Sequence, residues 1–135
     1  MIEKFTQEVM ICSSLMDGME KSKVSIFKYI KCKDIDQIAI EVNNRTRLVK
    51  IIEVFLIKIE KISHIIYQKK STQFTNELII SWNRDVQKWI ERTNKNDQAI
   101  SNSLEELRLH AMNEIAEVHL KNRQFKGYNL NDLKP

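Results

Sequence analysis

Apolar residues recur along most of this chain at the spacing of a helix face. In the first stretch Phe5, Val9, Cys12, Met16, Met19, Ile26 and Ile30 follow alternating steps of four and three, and Lys23 fills the slot between Met19 and Ile26. Such a heptad seam suits shallow-angle packing against neighbouring helices. Gly18 lies off the seam and costs about 1 kcal/mol relative to alanine, which marks a local weakness. The segment is expected to end around Lys31 to Lys33.

Asp34 or Asp36 then caps a second helix, its carboxylate accepting from the free N–H groups of the first turn. One apolar row holds Ile35, Ile38, Val42, Val49, Ile52, Leu56, Ile59 and Ile66, and a second adds Ile40, Leu48, Ile51, Phe55, Ile62 and Ile65. Two rows make a wide stripe, so this helix is expected to be central and the most buried of the set, ending near Gln68. Isoleucine is only a middling helix former, so packing must hold it.

Lys69 to Gln73 is the expected reversal, with Ser71 or Thr72 as cap. A third helix starts near Phe74 and carries Leu78, Ile79, Trp82, Val86, Trp89 and Ile90. Between Thr93 and Ser103 only Ala99 and Ile100 are apolar, and Asn94, Asn96 and Asp97 are poor helix formers. Helical spacing resumes through Leu104, Leu107, Ala111, Ile115 and Val118. One very long helix and two helices hinged near Asn96 both fit, and the first is favoured. Gly127 reads as the helix stop. The expected organisation is a helical bundle domain over 1–126 and a short tail over 127–135.

Composition narrows the fold class. The 135 residues include two glycines and one proline, the last residue. Strands joined by tight turns depend on those two residue types, so the pattern predicts an all-α, antiparallel up-down bundle of three long helices, or four with the hinge. With 42% hydrophobic and 30% charged residues a packed core is attainable. The net charge of +4 favours acidic partners slightly. Basic residues nevertheless alternate with acidic ones, as in Glu20-Lys21, Glu60-Lys61 and Glu91-Arg92, so no strongly positive face is expected. Cys12 and Cys32 read as free thiols of a reducing compartment. Neither a signal peptide nor a membrane span is visible, and a cytoplasmic location is expected.

Catalytic chemistry needs converging polar groups, and none converge here. His110 and Glu114 share a helix face at metal-ligand spacing, but His119 is half a turn out of phase and His64 lies on another helix. No glycine-rich loop is present to cradle a phosphate. Asp17 and Glu20, at i and i+3, read as a solvated pair. Neither enzymatic activity nor a cofactor, metal or small-molecule ligand is expected. Trp82 and Trp89 share a stripe, and a base-stacking role would need exposure and basic neighbours. Asp85 and Glu91 stand beside Arg84 and Lys88, so a core or interface role is the stronger reading. Arg45 falls in phase with the apolar seam between Val42 and Val49 and must snorkel or pair, most simply with an acidic residue of the first or third helix.

The stretch Lys33-Asp34-Ile35-Asp36-Gln37-Ile38, followed by Glu41-Val42-Asn43-Asn44-Arg45-Thr46-Arg47-Leu48, resembles the first-to-second-helix region of bacterial flagellar export chaperones of the FliT and FlgN type. The third region, from Asp97-Gln98-Ala99-Ile100 through Leu104, Leu107 and Ile115 to Gly127-Tyr128, is similar to their long C-terminal helix and its terminal tyrosine. What the resemblance implies is a small cytoplasmic chaperone of flagellar type III export. Its client would be an axial protein, a filament-cap or hook-associated protein, whose amphipathic terminal helices need cover until they polymerise. Ile100, Leu104, Leu107, Ala111, Ile115 and Val118 are the candidate client-binding residues, and Tyr128 is the candidate contact to the export-gate protein. Both a monomer and a homodimer fit. The competing readings are a basic helical nucleic-acid-binding module and a homodimeric coiled-coil structural protein.

Overall fold

The structure, a computed structural model, describes residues 1–69 and 72–133, with side chains as far as Lys121. Three helices follow in order: α1 (Ile2–Lys31), α2 (Ile35–Gln68) and α3 (Gln73–Leu133). No strand occurs among the described residues, so the chain is all-α. It divides into two units, 1–100 and 101–135.

The first unit is an up-down-up arrangement of α1, α2 and the first 28 residues of α3. Its helix ends follow local chemistry. Asp34 Oδ1 accepts from the Gln37 N–H at 3.2 Å and caps α2. Thr72 Oγ1 accepts from the Thr75 N–H at 3.3 Å and lies 3.0 Å from the Thr75 hydroxyl, capping α3. α1 ends without glycine: Lys33 takes φ 56°, its N–H donates to the Ile30 carbonyl, and the Asp34 N–H donates to that of Tyr29. That pair of bonds is the usual left-handed helix stop, here adopted by a residue with a Cβ.

Phe5, Cys12, Met16 and Met19 of α1, Ile52, Ile59, Ile62 and Ile66 of α2, and Trp82 and Trp89 of α3 form one contiguous core. The seven-residue seams of α1 and α3 are therefore buried as their spacing requires. α2 departs from expectation. Of its second row only Ile62 is buried; Leu48 and Phe55 are half-buried, and Ile40, Ile51 and Ile65 are exposed. Three helices around one axis each present a single stripe inward, so a second full row on α2 has nothing to pack on. Gly18 also differs from its reading as a weak point. A Cβ built there would stand 3.3 Å from Leu48 Cδ2, so Gly18 faces α2 at a tight contact where any side chain would press on Leu48.

α3 continues as one helix past Asn96, with no hinge. It also passes through Gly127, the expected stop, and ends at Leu133, so the helix crosses the 126/127 boundary assigned to a tail. No glycine among the described residues takes a positive φ. Without that left-handed turn, glycine merely weakens a helix.

Candidate functional site

The polar interval of α3 has a structural purpose in the first unit. Arg45 is 6% exposed, and its guanidinium reaches across the bundle. Nη1 donates to the Met19 carbonyl of α1 at 2.7 Å, and Nε donates to Asp97 Oδ1 of α3 at 2.9 Å. Nη2 stands 2.9 Å from the same Asp97 oxygen without hydrogen-bonding geometry, so that contact is coulombic. Alongside, Glu20 Oε1 accepts from Asn96 Nδ2 at 2.9 Å and lies 3.2 Å from Arg92 Nε, while Glu20 Oε2 lies 3.1 Å from Lys23 Nζ. The hydrogen bond from Lys23 holds the Glu20 carboxyl below the usual range, with Asn96 and Arg92 adding to it. Asn96 and Asp97, poor helix formers by propensity, are thus the α3 partners of charges on α1 and α2. Arg45 bridges the three helices, as its phase in the seam suggested.

α2 and α3 also enclose a cleft of about 450 Å³ walled by Leu56, Ile59, Ile79, Trp82 and Val86, with Glu60, His64, Tyr67 and Asn83 beside them. The signal for it lies in the row Val49, Leu56, Ser63: at seven-residue spacing the third member is far smaller than the other two. Trp82 and Trp89 are both buried core residues, which removes them as an exposed base-stacking platform.

The candidate client-binding residues do not form one surface. Ile100 is 6% exposed and belongs to the first unit's interior, so it is not available to a partner. The others fall in the second unit. Leu104 and Leu107 are half-buried and Ala111 is exposed, while Ile115 and Val118 are 69% and 57% exposed. Their angles at 100° per residue fall within one stripe about 80° wide. Nearby polar residues pair along the helix. Arg108 makes a bidentate contact to Glu105, with Nε 3.0 Å from Oε2, and holds that carboxyl below its usual range. His110 Nε2 lies 2.9 Å from Glu114 Oε1, so the two residues with metal-ligand spacing meet as a pair. Among the described residues no three His, Cys, Asp or Glu side chains are grouped to hold a metal. The side chain of Tyr128 lies outside the described residues.

Among the described residues no helix is long and apolar enough to cross a membrane. Cys12 is buried and Cys32 exposed, and both are free thiols. Comparison with known proteins returned no matching family model, curated protein or solved structure.

Proposed function

We propose that this protein is a helix-binding chaperone whose second unit holds an amphipathic helix of a protein client. The observation that carries this reading is the apolar stripe Leu104, Leu107, Ala111, Ile115 and Val118, exposed at its C-terminal half and flanked by the paired charges Arg108–Glu105 and His110–Glu114. A large exposed apolar stripe on a helix is the complement of another helix's apolar face. The sequence resemblance supplies the specific form of the proposal: a cytoplasmic flagellar export chaperone that shields the terminal helix of an axial protein and presents it to the export gate through Tyr128. The nucleic-acid alternative is less well supported, because Lys23, Arg45 and Arg92 are engaged by Glu20 and Asp97.

The test is calorimetric titration of the full chain with terminal-helix peptides of filament-cap and hook-associated proteins. Saturable binding, weakened about tenfold or more by Ile115→Asp and little changed by added salt, is expected. Binding to nucleic-acid probes that falls steeply with salt would favour the alternative. Absence of peptide binding by the wild-type chain would sink the proposal.

A further inference from the structure

The exposed stripe has a symmetry that the client reading does not require. From Leu104 its members are spaced three, four, four and three residues apart, so the pattern reads the same in both directions from Ala111. Leu104 and Val118 lie seven residues either side of it, and Leu107 and Ile115 lie four. A two-fold dimer needs this kind of self-complementary patch, in which residue i meets j and j meets i.

We infer that the second unit pairs with a second copy of itself, antiparallel, with the two-fold axis at Ala111. In that register Leu104 sits level with Val118 of the partner copy, and Leu107 with Ile115. At 100° per residue Leu104 and Val118 lean about 20° to opposite sides of Ala111, and Leu107 and Ile115 about 40°. Facing members of each layer therefore lie side by side rather than head on, the arrangement in which knobs fill holes. On the axis, where two identical side chains must meet directly, the chain has its smallest member of the stripe. Methyl groups there let the backbones approach, and any longer side chain would hold them apart.

The flanks agree. Arg108 and Met112 border one side of the stripe, and Arg108 Nη1 already lies 2.9 Å from Met112 Sδ within one chain. In the antiparallel register the Arg108 stem of one copy runs beside Met112 of the other. On the opposite side His110 of one copy lies two residues, about 3 Å along the axis, from the level of Glu114 of the other, the same two groups that pair within the helix. Glu105 and Glu117 come level in this register, but each lies about 120° round the helix from Ala111, away from the contact and on opposite sides. The contact spans about 15 residues, or about 22 Å, which is short for a stable interface and sets a weak, concentration-dependent dimer. The pairing stands on this spacing alone; a client helix of the kind proposed above would compete for the same face.

Sedimentation of the full chain over a concentration series tests it. A monomer–dimer equilibrium is expected. Ala111→Glu and Ala111→Lys should each abolish the dimer with helicity unchanged by circular dichroism, and an equimolar mixture of the two should restore it, since opposite charges then meet on the axis. Orientation is read by oxidative cross-linking in a Cys32→Ser background. Leu104→Cys mixed with Val118→Cys should cross-link well above either variant alone. A wild-type chain that stays monomeric up to about 1 mM, a dimer indifferent to Ala111→Glu, or cross-linking of each cysteine variant only with itself would overturn the inference.

Discussion

Arg45 and Asp97 form an unequal pair, and the inequality makes a sharp prediction. The Arg45 side chain is 7% exposed, whereas that of Asp97 is 53% exposed. Removing either partner breaks the same contact but leaves different remnants. Asp97→Ala strands a guanidinium in the bundle with the Met19 carbonyl as its remaining hydrogen-bond acceptor. Removing one partner of a buried pair costs about 3–5 kcal/mol, and water near the exposed carboxylate site relieves part of this, so about 2–4 kcal/mol is expected. Arg45→Met leaves an aspartate that solvent already reaches, a Met19 carbonyl within its own helix, and an apolar side chain among apolar neighbours. Its expected cost is under about 1 kcal/mol. The double variant should match Arg45→Met alone, giving a coupling energy close to the whole loss in Asp97→Ala. Urea unfolding followed by the fluorescence of the buried Trp82 and Trp89 measures all four proteins. Equal losses in the two single variants, or a loss below about 0.5 kcal/mol in Asp97→Ala, would refute the claim that a desolvated cation is held in place from α3.

Three further outcomes follow from the same geometry. Ile52 is fully buried and Ile52→Ala should lower stability by about 2–5 kcal/mol, whereas Phe55→Ala, at a half-buried site, should fall below that range; a denaturant midpoint unmoved by Ile52→Ala would contradict the core assignment. Glu20 has a folded-state pKa below its ordinary value of 4.5, so its contribution is complete above about 4.5 and disappears as pH falls through the lower folded value; Glu20→Gln should flatten the acid limb of the stability profile, and an unchanged limb would count against it. Burial, with Glu8 adding to it, pushes the Cys12 thiol up to about 11, so a thiol reagent at neutral pH should modify one cysteine quickly, Cys32, and the other only on unfolding; two fast equivalents would show that Cys12 is accessible.

What was legible in the sequence was what depends on local chemistry or a single period. Asp34 and Thr72 announced two helix starts because each has an oxygen placed for free backbone N–H groups. The charge of Arg45 announced a partner because a cation on an apolar seam cannot stay unpaired. What was not legible depends on which surfaces meet. Asn96 and Asp97 looked like helix weaknesses until Glu20 and Arg45, far away in the chain, were brought beside them. Lys33 in a left-handed stop leaves no mark in a sequence where glycine is the usual sign. The second row of α2 and the approach at Gly18 turn on how many helices surround the axis, a number that periodicity does not contain.

Ile100 and Ile115 show why the candidate surface divided. Both belong to the same helical register, yet one is buried and the other is among the most exposed apolar residues. Helix lengths account for the difference better than local sequence does. α1 and α2 have 30 and 34 residues, about 45 and 51 Å, whereas α3 has 61, about 92 Å. Neither α1 nor α2 is as long as α3. Its first 28 residues fall in the first unit, and the apolar stripe from Leu104 to Val118 lies beyond them. An exposed apolar stripe of that length is the kind of surface that a binding partner covers, and both proposals rest on that reading. The two proposals differ in what that cover is, and the symmetry about Ala111 is the feature that a second copy needs and a client does not.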